Sequence, residues 1–313
     1  MKNENGLKYR LLTRSDFDGL VCALLLKEQN LVDDILFVHP RDMQLGQVEL
    51  TDRDISANLP YTEGIFMCFD HHESEAIRGE KRDNHIIKPT VLSAARVIYD
   101  YYGGEKSFPA HFKYMIDAAD KIDSASLTMN EVMHPTNWVL LGFITDSRTG
   151  FGRFKNFRIS NYDLMMKLVD LCRKKTLDEI LVFPDIQERI ALYRNHEPLV
   201  RRQLEKCSRV DGKILITDLR NVDTIYVENR FLRYALYPQI NISIQIMWGR
   251  NRQNTVFALG RSIFNKTSKV NIGSLILGFE GGGHEGAGAC QVDNDKVDES
   301  LAEIVKRIHS SDS

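Results

Sequence analysis

The tripeptide Asp70-His71-His72 ends a short apolar run, Gly64-Ile65-Phe66-Met67-Cys68-Phe69. An acid and two imidazoles at a strand end are poorly explained by packing. A buried carboxylate is costly unless paired, and histidine is seldom placed in tandem in a core. All three groups can bind a metal ion or a phosphate, and ligands of open α/β sheets bind just beyond the carboxyl ends of strands. Two further acids, Asp16 and Asp18, stand in the segment Thr13-Arg14-Ser15-Asp16-Phe17-Asp18-Gly19. Asp54 closes a third polar stretch, Asp52-Arg53-Asp54. Asp16, Asp18, Asp54, His71 and His72 together have the make-up of a site for Mn2+ or Mg2+ rather than for a thiolate-preferring ion. Taken singly, Asp16 and Asp18 also fit a helix start, with Ser15 or Asp16 as N-cap and Asp18 favourable against the dipole.

The elements that must position these groups follow from hydrophobic pattern. Residues 7–12 predict a strand, 20–30 an apolar helix and 35–38 a second strand ending at His39. A unit of this kind implies parallel strands with a right-handed crossover. Residues 47–51 alternate and predict a third strand that ends at Asp54, and the fourth ends at Asp70. Strands one, three and four would then release their acids and imidazoles at one sheet edge. Residues 91–102 and 112–122 predict helices, the second carrying Asp117, Asp120 and Asp123. Carboxylates late in a helix oppose its dipole, which favours a functional reason for at least one of them.

Residues 161–175 and 186–207 predict long helices suited to join two domains. A second α/β pattern begins at residue 213, with strands at 214–216, 225–227, 240–247 and 256–259 and helices at 231–237, 270–278 and 298–308. The expected architecture is α/β. A doubly wound, mainly parallel sheet occupies 1–158, a helical connector 159–209, and a smaller domain with a mixed sheet 210–313.

Length and charge bound the rest. The 313 residues suit two domains, and 43% hydrophobic with 27% charged residues is ordinary for a globular protein. A net charge of −2 argues against a binder of long duplex nucleic acid but not against a small anionic substrate. The five cysteines are scattered, which fits reduced thiols in a cytoplasmic protein. No secretory leader and no membrane-spanning run is expected.

Two polar stretches lie apart from the tripeptide. Arg148, Arg153, Lys155 and Arg158 concentrate positive charge in a glycine-containing loop suited to phosphate or to plain solvation. Phe151, Phe154 and Phe157 among them would either stack bases or fill core. Near the C-terminus, Gly281-Gly282-Gly283-His284 could bring backbone N–H groups and an imidazole onto an anion, with Arg261-Ser262 as a second contact.

Asp16-Phe17-Asp18-Gly19, Asp54, Asp70-His71-His72 and Gly281-Gly282-Gly283-His284 in this order resemble the motifs of the DHH/DHHA1 phosphoesterases. Within them the chain most resembles the oligoribonuclease and pAp-phosphatase-like branch, often labelled exopolyphosphatase-related. The resemblance spans nearly the whole chain. It implies two divalent ions, usually Mn2+, with Asp16 on one, Asp18 and His71 on the other and Asp54 bridging. His72 would stand by the scissile phosphate, with Asp70 orienting its neighbours. A later Asp ligand is implied, either Asp120 or Asp123, which lie at the more usual distance, or Asp146, whose flanking letters match better. His284, Gly282, Gly283, Arg261 and Ser262 would hold the far end of a substrate. Arg14 stands where family members often carry a metal-binding histidine, and a guanidinium cannot ligate. Either that ion has fewer ligands, or His39 substitutes, or Arg14 binds substrate phosphate.

The activity so implied is hydrolysis of a short nucleotide, such as nano-RNA, a linear dinucleotide or pAp, by water activated between two ions. Attack on polyphosphate is the alternative within the family. A nucleotide-binding regulatory module with weakened catalysis is the alternative outside enzymology. Several family members are dimers, so a homodimer is compatible.

Overall fold

A computed structural model describes residues 6–72 and 82–312. It forms two compact units, residues 1–193 and 194–313. The first is built on strands β1 (Tyr9–Thr13), β2 (Val32–Phe37), β3 (Asp54–Ala57), β4 (Met67–Asp70) and β5 (His85–Ile87). All pair in parallel, in the order β2-β1-β3-β4-β5. Around them run α1 (Phe17–Glu28), α2 (Pro40–Gln44), α3 (Ala94–Tyr101), α4 (Phe112–Asp123), α5 (Met129–Met133), α6 (Asn137–Thr145), α7 (Asn161–Lys174) and α8 (Leu177–Leu181).

Helix α1 is apolar on every side, and residues 17–26 are all buried. A helix hydrophobic all round must be covered all round. Here α3, α4, α6 and α7 pack against it. Truncating a side chain such as Leu24 in such a setting costs about 2–5 kcal/mol. The rigid N-terminus of α1 carries Asp16 and Asp18.

The long helix α9 (Pro184–Cys207) contains the division between the units. The second unit is a mixed sheet of β6 (Ser208–Asp211), β7 (Ile214–Asp218), β8 (Ile242–Trp248), β9 (Thr255–Arg261), β10 (Gly282–His284) and β11 (Ala287–Val292). Their order is β10-β11-β9-β8-β7-β6, antiparallel except between β7 and β8. Its helices are α10 (Leu232–Leu236), α11 (Ile272–Leu277) and α12 (Val297–Asp312). Ile214, Ile244, Phe257, Ile276 and Ile304 belong to its core. Among the described residues no helix is long and apolar enough to cross a membrane.

The two-domain α/β architecture is as the sequence predicts, with local differences. Residues 47–51 form no strand, because Val48 and Leu50 turn onto a small cluster of Leu12, Met43 and Leu59. The third strand is instead the fully buried run that begins at Asp54. Residues 225–227 are also irregular, with the Val227 amide donating to His196 Nδ1 at 3.0 Å. Strand β6 was not expected. It pairs with β7 through a turn at Gly212, whose φ of +58° favours glycine.

The shifted third strand moves Asp54. Arg10 and Asp54 are register partners at the N-terminal end of β1 and β3. At about 3.3 Å per residue they lie about 10 Å from the edge where Thr13 and Ala57 end their strands. Asp54 is buried and accepts Arg10 Nε at 2.7 Å, Arg10 Nη2 at 2.8 Å and the Thr51 amide at 2.7 Å. It holds the sheet together at the edge opposite the histidines. Asp54→Asn is therefore expected to lower stability by about 1–3 kcal/mol, since Arg10 keeps some solvent access. Denaturant unfolding measures this loss. A stable variant with abolished catalysis would instead place Asp54 in the site.

Candidate metal centre

Beyond Thr13 the chain turns through Arg14 and Ser15 into α1. Asp16 has extended backbone and caps the helix, with Oδ1 accepting the Gly19 amide at 3.0 Å. The turn is tight, and a Cβ on Gly19 would lie 2.0 Å from the Arg14 carbonyl oxygen. Only glycine fits there. Asp18, in the first turn, is buried against the N-terminus of α3. Its carboxylate accepts the amides of Ala94 at 3.1 Å and Ala95 at 2.8 Å. Exposed N–H groups at a helix start favour such a negative charge.

His71 follows β4, and its Nε2 lies 2.9 Å from Oδ2 of Asp123, the last residue of α4. The two atoms are close but out of line, so this buried nitrogen makes no hydrogen bond. Ligand atoms of Asp18, His71 and Asp123 all lie within 4.8 Å of one another. This is the one such group found among the described residues. Donors held this close without a hydrogen bond point to a shared third partner. Octahedral bonds of about 2.1 Å place neighbouring donors about 3 Å apart. Two carboxylates and an imidazole therefore fit a divalent ion of the Mn2+ or Mg2+ type.

The electrostatics agree. Burial, with Asp123 nearby, pushes Asp18 up to about 7. Burial alone would lower His71, but Asp123 and Asp18 outweigh it and raise the imidazole to about 9. Burial would likewise raise Asp123, yet His71 holds it well below the usual carboxylate range. A proton on His71 thus does the neutralising work that a cation would do.

Asp70 is fully buried and organises the tripeptide. Its Oδ1 accepts the amides of His71 at 2.8 Å and His72 at 3.2 Å, and the ring Nδ1 of His72 at 2.7 Å. A carboxylate can only accept, so Nδ1 of His72 is the donor and Nε2 the basic nitrogen of the neutral ring.

Other expected groups lie elsewhere. Asp120 is bound by Arg96 Nε at 2.9 Å, Arg96 Nη2 at 2.7 Å and Ser93 Oγ at 2.6 Å. It ties α4 to α3, and Asp123 is the acid of this helix that joins the cluster. Asp146 receives the Arg148 amide at 2.8 Å and its Nε at 2.8 Å. His39 is exposed and outside the ligand group. Arg153 is exposed and folds over Gly150. Phe151 is buried core and packs on half-buried Phe157, whose face is covered by Arg189 at 4.2 Å.

In the second unit the glycine run is a hairpin. Gly283 pairs with Gly288, and a Cβ on Gly283 would lie 2.4 Å from the Ala287 carbonyl oxygen. The glycines let this hairpin lie flush on α11. Gly282 and His284 are exposed on it. Arg261 donates to Glu285 at 2.6 Å and to the Ser268 carbonyl at 2.8 Å. Ser262 Oγ accepts the amides of Phe264 and Asn265, at 3.2 and 3.0 Å, and so shapes a turn.

One residue of the centre escaped the sequence reading. Asn58 follows β3 at the histidine-bearing edge, buried and with φ of +57°. Its Nδ2 lies 3.5 Å from Asp16 Oδ1, and its Oδ1 has no partner. A third strand at 54–57 instead of 47–51 puts Asn58 at the histidine-bearing edge.

No protein-family model matches the chain, and no curated protein does. Among solved structures it is 51% identical to a pGpG-specific phosphodiesterase, PggH, from Vibrio cholerae. That match covers 97% of this chain and 99% of the other, with a TM-score of 0.82. The DHH domain of PF0399, a member of the s1p family of ribosomal proteins, is 13% identical over 97% of this chain and 87% of its own, with a TM-score of 0.60. RecJ from Thermus thermophilus in complex with Mn2+ is 12% identical over 99% of this chain and 53% of its own, with a TM-score of 0.55. The last two share the fold.

Because His71 must shed a proton to ligate, Mn2+ affinity is expected to rise between about pH 6 and about pH 9. Isothermal titration across that range measures it. An affinity independent of pH would remove His71 from the ligand set.

Proposed function

Since the chain belongs to the DHH/DHHA1 phosphoesterase family, we propose that it hydrolyses the phosphodiester bond of a short linear dinucleotide, pGpG first among them. Divalent metal held by Asp18, His71 and Asp123 serves the reaction, with Mn2+ or Mg2+ as the ion. The observation that carries this is the Asp18–His71–Asp123 group, in which His71 Nε2 and Asp123 Oδ2 lie 2.9 Å apart yet are not hydrogen-bonded. The extent of identity with a pGpG-specific phosphodiesterase supports the substrate class.

A divalent ion supplies charge neutralisation at the phosphate and lowers the pKa of water. The chain's own residues do the rest. Asp18 and Asp123 are fixed by helix ends, so their geometry needs no rearrangement during the reaction. Asp70 pins the His72 ring by its Nδ1–H. The Nε2 of His72 can then accept a proton from the attacking water, or deliver one to the leaving 3′-oxygen. Water adds to phosphorus as the bond to that oxygen breaks, and pGpG gives two molecules of GMP. Phosphoryl transfer depends mainly on such positioning and charge stabilisation.

Chromatography of products from pGpG, pAp, cyclic dinucleotides and polyphosphate tests this. GMP release from pGpG with Mn2+ is expected, abolished by chelator and lowered at least about 100-fold in Asp123→Ala and His72→Ala. Turnover of polyphosphate in preference to pGpG, or turnover of pGpG unaffected by chelator, would contradict it.

A further inference from the structure

Asp16 is an expected metal ligand that the structure turns toward other partners. Its Oδ1 accepts from Gly19 and approaches Asn58. Its buried Oδ2 makes no hydrogen bond and is approached only by charge, with Arg14 Nε at 3.3 Å and Arg148 Nη2 at 3.6 Å. Arg148 is braced from the other side by Asp146, whose Oδ1 and Oδ2 its Nε meets at 2.8 and 3.0 Å. Two guanidinium groups thus converge on the carboxylate where the first of two ions is expected.

These groups belong to the same centre as the ligands. The charge of Arg14 is felt at Asp123, and that of Asp123 at Arg148. A guanidinium has no lone pair to offer and remains charged. Two unit charges 4 Å apart repel by about 4 kcal/mol at an effective dielectric of about 20, and a divalent ion doubles this. Asn58 adds to the effect, because an amide at this strand end brings no negative charge to offset a second ion.

We infer that this centre is mononuclear. One divalent ion sits on Asp18, His71 and Asp123, and Arg14 with Arg148, anchored by Asp16, provides the second positive charge. The inference rests on the phosphodiesterase reading above. The side chains of Arg14 and Arg148 are 21% and 35% exposed, so a phosphate can reach them. Their planar forks match phosphate oxygens. They would hold the scissile phosphate while Asp16 holds them.

Mn2+ titration of the intact protein, by calorimetry and electron paramagnetic resonance, tests this. The expected result is one ion per chain at saturation, with the spectrum of an isolated ion. Arg14→Ala should still bind one ion but cleave pGpG about 100-fold more slowly. The double variant Arg14→His with Asn58→Asp should gain a second, magnetically coupled ion. Two coupled ions in the unaltered protein would overturn the inference and leave the phosphodiesterase reading standing. No bound ion would overturn both. Unchanged cleavage by Arg14→Ala, or a folded double variant holding only one ion, would refute the role given to these residues.

Discussion

Two carboxylates, buried Asp18 and half-buried Asp123, face one imidazole at the edge of a parallel sheet. Like charges at such spacing in a medium of low dielectric are tolerable only with a compensating cation or proton. The first unit is arranged to impose that juxtaposition. Helix α1 is buried over residues 17–26, with other helices packed around it. Gly19 lets its first turn close onto the Arg14 carbonyl. The N-terminus of α3 donates two amides to Asp18, while α4 delivers Asp123 from its last position. An ion held there, as proposed, would offset the cost of assembling these charges.

Charge is sorted around that point by element. The end of β4 brings an imidazole to the ligand group and, through Asp70, a second imidazole with a fixed tautomer. The end of β1 brings guanidinium instead, with Arg14 and Arg148 meeting on Asp16. The opposite edge of the sheet holds a separate ion pair, Arg10 with Asp54, that serves the fold. Asp54 thus sits at the end of the sheet opposite the edge where Thr13 and Ala57 close their strands and Asp18, His71 and Asp123 meet. That separation shows why Asp54 is expected to change stability rather than chemistry.

Much of this was legible in the sequence. The family motifs, the parallel sheet, the mixed second sheet and the strand end at Asp70 follow from apolar pattern and polar punctuation. The third strand was not legible, because the alternating stretch at 47–51 mimics a strand while the true one, Asp54-Ile55-Ser56-Ala57, is short and buried on both faces. That shift placed Asp54 in the site and hid Asn58. Asp120 and Asp123 are equivalent by spacing, and only the position of Arg96 separates them. The glycine run near the C-terminus looks like an anion cradle, yet close packing already requires two of its glycines, Gly281 against Ile276 and Gly283 against Ala287. In each case the deciding fact is a long-range neighbour, which local sequence does not carry.

The most direct test of the account is anomalous diffraction at the manganese edge from crystals grown with Mn2+. The account predicts a single peak bounded by Asp18, His71 and Asp123, with Arg14 and Arg148 still on Asp16. A second peak on Asp16, or a peak beside Asp54, would contradict it.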